Sequence, residues 1–152
     1  MKIDLGTPTR GVVLVVDDEP GVRQLARRIL EGGGYGVVEA GDGQQALDVM
    51  ASQAQVDFLM ADLDMPVMRG EEMAVKIRKL RPELKVLYVT AHSEVLFRER
   101  PELLEGEAFL DKPFTVTGLL EAVSLLKVGY LKTPPPPPES ALTRFWKKVT
   151  GR

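Results

Sequence analysis

With 152 residues and 44% apolar content, the chain has material for one core-bearing domain and a tail. Its net charge of −2 is uneven: from Glu139 onward four basic residues face one acid, a balance of +3 that leaves −5 for residues 1–138, so nucleic-acid binding by the main body is not expected. Zero cysteines and a single histidine, His92, exclude disulfides, thiolate chemistry and multi-histidine metal centres, and without a signal-like leader or an apolar run of ~18 residues a cytoplasmic protein is expected.

After a polar lead-in over residues 1–10, Val12-Val13-Leu14-Val15-Val16 marks a first strand, about 11–16, which runs into Asp17-Asp18-Glu19-Pro20. Pro20 suits the first turn of a helix. Val22, Leu25, Ala26 and Ile29 repeat at helical spacing to about residue 31, where Gly32-Gly33-Gly34 stops the helix. The triplet is punctuation and not a phosphate loop, because no lysine follows it and the next element is a strand. That strand spans about 35–39. After Gly41-Asp42-Gly43 comes a second helix, about 44–52, with Ala46, Leu47 and Met50 facing inward.

A third strand, about 57–61, delivers Asp62-Leu63-Asp64-Met65-Pro66. Past Gly70, a third helix over 71–80 begins with acids and ends with Lys76, Arg78, Lys79 and Arg81, the polarity its macrodipole favours. A fourth strand over 85–89 delivers Thr90-Ala91. Residues 94–100 are short, highly charged and closed by Pro101, which predicts a brief or irregular fourth helix. A fifth strand, about 108–110, runs into Asp111-Lys112-Pro113-Phe114. The last predicted helix, 116–128, packs Leu119, Leu120, Val123 and Leu126.

Beyond this body, residues 132–139 read as a linker whose five consecutive prolines favour a stiff polyproline II spacer. In residues 140–152, Leu142, Phe145, Trp146 and Val149 fall at i, i+3, i+4 and i+7, with basic residues on the other face. So short an amphipathic helix is marginal alone and needs a surface to dock on. Its own domain, a groove on a partner and an anionic membrane surface all fit, as does a disordered tail.

Short apolar strands alternating with helical patterns predict an α/β fold with a doubly wound parallel sheet, whose chemistry gathers at the carboxyl ends of the strands. Asp17, Asp18, Asp62, Thr90 and Lys112 then converge on one edge. Such a set suits a divalent cation and a phosphoryl group: Asp62 as an anionic nucleophile, the other acids as Mg²⁺ ligands, Lys112 as a fixed positive charge.

Four motifs in this order, Val-Val-Asp-Asp-Glu-Pro, Ala-Asp-Leu-Asp-Met-Pro-Val-Met-Arg-Gly, Val-Thr-Ala-His and Phe-Leu-Asp-Lys-Pro-Phe, resemble the receiver (CheY-like) domain of two-component response regulators over roughly residues 11–128. The resemblance implies a flavodoxin-like five-stranded sheet of order 2-1-3-4-5 flanked by about five helices, with a domain over 11–131. It implies a signalling phosphoacceptor rather than an enzyme. Asp62 would take its phosphoryl group from a histidine kinase or phosphotransfer protein, with Mg²⁺ held by Asp17, Asp18, Asp62 and the backbone carbonyl of Asp64. Lys112 and Thr90 would engage the phosphoryl oxygens, and the Lys112–Pro113 bond would be cis. Thr90 and Phe109 would form the switch pair that changes the face made by the fourth helix, fifth strand and fifth helix, toward an output protein the sequence does not name. The stretch around Pro101 is similar to receivers attached to hybrid histidine kinases. Residues 134–152 leave no room for a DNA-binding domain.

Blander readings stand beside these. Asp17 and Asp18 also suit a helix cap, Thr90 an ordinary strand end, Phe109 permanent core, His92 a loop, and Asp64 either water orientation or solvent. Two alternative functions remain: a phosphorylation-independent scaffold on the same fold, and a haloacid-dehalogenase-like phosphatase suggested by Asp62-Leu63-Asp64. The second sits poorly with Pro66 and with an acidic strand end upstream.

Overall fold

The computed structural model describes residues 10–52, 55–65, 68, 70–92 and 106–128. The expected fourth helix at 94–100, the polyproline linker and the tail over 140–152 lie outside them, as does the lead-in up to residue 9. Five strands and four helices are described: β1 (Val12–Val16), α1 (Pro20–Gly32), β2 (Gly36–Ala40), α2 (Gly43–Ser52), β3 (Phe58–Asp62), α3 (Gly70–Leu80), β4 (Lys85–Thr90), β5 (Glu107–Asp111) and α4 (Val116–Val128). The sheet is parallel throughout in the order β2-β1-β3-β4-β5, as the resemblance implied. Element boundaries differ from the sequence reading by one or two residues. One difference matters: Asp62 and Thr90 are the last residues of their strands, not the first after them.

β1 and β3 are apolar because both of their faces are covered. Alternate side chains then divide into two cores. Leu14, Val16, Leu59, Ala61, Val86 and Tyr88 pack with Ala46 and Met50 of α2 and Met73 and Ile77 of α3. Val13, Val15, Phe58, Met60, Leu87 and Val89 pack on the other side with Ala26, Ile29 and Leu30 of α1 and Leu119, Val123 and Leu126 of α4. With both faces filled, polar chemistry is confined to the edges where strands end.

Local signals place the connections. Pro20 sits in the first turn of α1. The chain leaves that helix through Gly33 and through Gly34 at φ 95°, a left-handed turn that needs a glycine. Arg78 of α3 donates from Nη2 to the carbonyls of Leu84 and Gly106, both at 3.1 Å, fixing where β4 and β5 begin.

β1 lies between β2 and β3, so the chain crosses the sheet in opposite directions on leaving β1 and on entering β3. Ligands in doubly wound sheets gather at that reversal. In register, Val16 pairs with Ala61, which sets Asp17 beside Asp62 at the switch point.

Candidate functional site

At the carboxyl edge, Asp17, Asp18 and Asp62 each offer a carboxylate oxygen within 4.8 Å of the others. Asp62 and Asp17 are buried at 3% exposure each, while Asp18 is exposed. Lys112, just past β5, reaches across: its Nζ stands 2.7 Å from Asp17 Oδ2 and 3.4 Å from Asp62 Oδ2. Its backbone N–H donates to the Thr90 carbonyl at 2.9 Å, anchoring the β5 exit to the end of β4. The Lys112–Pro113 peptide bond is cis, as expected.

Asp17 does two jobs. Its Oδ1 accepts the Glu19 N–H at 2.9 Å, closing the turn into α1, and its Oδ2 meets Lys112. Turn-closing and site chemistry are therefore not alternatives at this residue. Asp18 leaves its carboxylate toward solvent, where a cation would arrive. The donor set, three carboxylates at an open edge, fits a hard divalent cation that keeps part of its water shell.

The electrostatics are those of a crowded anion. Desolvation pushes the Asp62 carboxyl above its ordinary range, and the Asp17 charge adds to this; the Asp64 N–H, donating to Asp62 Oδ1 at 3.0 Å, and the Lys112 ammonium oppose it. Lys112 itself is desolvated, which favours its neutral form. Its bond to Asp17 and the charges of Asp62 and Asp17 outweigh that and raise it. One ammonium is thus shared between two buried acids, with a third acid at the rim.

Thr90 is 1% exposed at the end of β4. Its hydroxyl donates to Asp64 Oδ2 at 3.0 Å and accepts the His92 N–H at 2.9 Å. Phe109 is half-buried, paired in register with Tyr88 and packed against the α2–α3 core.

Several supporting residues escaped the sequence reading. Arg23 of α1 donates from Nη1 to the Asp17 carbonyl at 2.6 Å and from Nε to Glu39 of β2 at 3.3 Å; Arg27 holds the other Glu39 oxygen at 2.7 Å. The acidic loop is therefore clamped from behind. Gly70 lies so close to the Asp62 carbonyl oxygen that a methyl there would overlap it. Tyr88 donates to Glu107 at 2.6 Å, a buried pair beside Phe109. Only Gly70 carried a sequence signal, as a glycine between a loop and a helix. Arg23, Arg27, Glu39 and Glu107 are ordinary surface-type residues until the fold brings them together, and Tyr88 reads only as part of an apolar strand.

A sheet of order 2-1-3-4-5 with an acid triad and a lysine at its switch point is matched over residues 13–124 by the family model of the response regulator receiver domain. The chain belongs to the receiver domain family. Receiver domains are signalling phosphoacceptors, not conventional enzymes, and take phosphoryl groups from histidine kinases or phosphotransfer proteins. The chain is 34% identical over 125 residues to the sensor kinase CckA of Brucella abortus, covering 80% of this chain and 13% of that protein. It is 37% identical over 114 residues to the response regulator MprA of Mycobacterium avium, covering 75% of this chain and 50% of that one. This chain therefore spans half or less of these relatives. Among solved structures, the response regulator TrrA of Thermotoga maritima, in complex with Mg²⁺ and BeF, superimposes with a TM-score of 0.65 at 34% identity, covering 76% of this chain and 98% of that one.

Family membership argues against the dehalogenase-like phosphatase, as does the place of Asp62 at the end of the third strand. Among the described residues of this receiver, no helix is long and apolar enough to cross a membrane.

Proposed function

We propose that Asp62 of this receiver accepts a phosphoryl group from a phosphohistidine on a histidine kinase or phosphotransfer protein. The observation that carries this is the convergence of Asp17, Asp18 and Asp62 within 4.8 Å, with one lysine shared between Asp17 and Asp62. A carboxylate oxygen of Asp62 attacks phosphorus, the O–P bond forms, the N–P bond breaks and imidazole leaves with the electron pair. Asp17, Asp18, Asp62 and the Asp64 carbonyl would hold Mg²⁺, which would supply the positive charge that lets two anions approach; the chemistry of the donor set and the Mg²⁺–BeF complex of TrrA support this. Lys112 adds a second positive charge on the phosphoryl oxygens. The Asp64 N–H holds Asp62 Oδ1, while Oδ2 faces the Lys112 ammonium.

Thr90 then donates its hydroxyl to the new phosphoryl group, and Phe109 follows into the space that opens, changing the face made by the expected fourth helix at 94–100, β5 and α4 for an output partner. Residues 11–131 form this unit, with 132–139 as spacer and 140–152 as a short basic amphipathic tail, and the setting is cytoplasmic; the match over 13–124 and the polyproline composition support the division.

Intact-mass measurement after incubation with Mg²⁺ and acetyl phosphate tests the reading. A phosphoryl adduct that requires Mg²⁺ and disappears in Asp62→Asn is expected. A folded, Mg²⁺-binding wild type that takes no adduct is a phosphorylation-independent scaffold instead.

A further inference from the structure

The Thr90 hydroxyl has one proton, and it is already spent: it points to Asp64 Oδ2 at 3.0 Å, while its lone pair takes the His92 N–H. A hydroxyl held by a charged acceptor is held more firmly than one facing water. To donate to anything bound on Asp62, it must first leave Asp64. We propose that Asp64 is a positioning residue which restrains the switch threonine in the unphosphorylated domain, so that phosphoryl binding at Asp62 has to break the Asp64–Thr90 hydrogen bond. This rests on the assignment of Asp62 and Thr90 made above.

The geometry separates the two functions of Asp64. Its backbone N–H orients Asp62 and is untouched by side-chain substitution. Its side chain is exposed, apart from the bond to Thr90, so truncating it leaves the fold intact. The carboxylate also carries a charge near the acid triad, and removing it would favour an anionic ligand for that reason alone. Charge repulsion acts whether or not residue 90 has a hydroxyl; the restraint exists only when it does.

A double-mutant cycle decides between them. Binding of beryllium fluoride in the presence of Mg²⁺, read by the ¹⁹F resonance of the bound species, is measured for the wild type, Asp64→Ala, Thr90→Val and the double variant of the full chain. Asp64→Ala is expected to bind about tenfold tighter than wild type, and the same substitution to change affinity less than about twofold when Thr90 is replaced. An equal gain in both backgrounds, or no gain in either, overturns the restraint. Should Thr90→Val fail to fold, Thr90→Ala takes its place in the cycle under the same criterion. Wild type that binds no beryllium fluoride refutes the phosphoacceptor reading itself, an outcome distinct from the loss of coupling.

Discussion

The two ends of the sheet carry similar numbers of charges and use them differently. At the amino edge an open cleft of about 580 Å³ is lined by Arg10, Asp57, Phe58, Lys85 and Lys127 among others, and these four charged side chains are committed to the backbone. Asp57 Oδ2 accepts the Val12 N–H at 2.8 Å, Lys85 Nζ donates to the Lys127 carbonyl at 2.6 Å, and Arg10 donates to the Gly33 carbonyl at 3.3 Å while lying 5.5 Å over the Tyr35 ring. At the carboxyl edge the acids are set against one another, and a single ammonium serves two of them. The cleft at the amino edge is therefore the structural end. The anion-crowded carboxyl edge is where a ligand of opposite charge lowers the free energy most.

Replacing the shared cation should disturb this contrast most. Lys112→Ala leaves Asp17 and Asp62 buried without their counter-charge, and we expect a loss of about 3 kcal/mol in denaturant unfolding, partly restored by Mg²⁺. A loss unaffected by Mg²⁺ would mean the acids do not form a cation site. Next in size is Gly70→Ala. The new methyl has no room beside the Asp62 carbonyl, so a destabilisation of about 2 kcal/mol is expected, along with slower adduct formation from acetyl phosphate. Wild-type stability and rate in this variant would show the contact to be slack.

At the other end, Asp57→Asn weakens one hydrogen bond to the β1 backbone and should cost about 1 kcal/mol of stability. Mg²⁺ affinity, followed by calorimetry, should stay as in wild type. A matching fall in affinity would erase the distinction between the two edges.

The smallest effect is the pH dependence of the metal-free protein. Because desolvation and Asp17 raise the Asp62 carboxyl in the folded state, its charge opposes folding. That opposition is absent below the unfolded value of 3.8 and complete above the raised folded value. The stability of Asp62→Asn relative to wild type should therefore improve as pH climbs from 3.8 and then level off. A gap that narrows with rising pH would reverse the sign and show Asp62 to be stabilised by Lys112 on balance.

How much of this was legible beforehand follows from the range of each signal. Asp17, Asp62, Thr90 and Lys112 each stand at the end of a short apolar run, and a parallel sheet buried on both faces has only its strand ends for polar groups. Position along the chain thus implied position in space, and the acid cluster could be named from residue types alone. The strand order was reached through the four motifs taken together, since nothing within any one strand says which neighbour it pairs with.

The sequence by itself determined the α/β alternation, the helix stop at Gly32-Gly33-Gly34, and the edge at which the acids gather, because periodicity and glycine act over a few residues. Tertiary structure alone decided how the site is held. Asp17 divides its two oxygens between Glu19 and Lys112, Arg23 clamps the Asp17 carbonyl, Gly70 presses on Asp62, and Asp64 accepts the hydrogen bond of the Thr90 hydroxyl from 26 residues away. These contacts join elements that meet only when the register of β1, β3, β4 and β5 is set, and hydrogen-bond geometry over a few tenths of an ångström leaves no periodic trace in the chain.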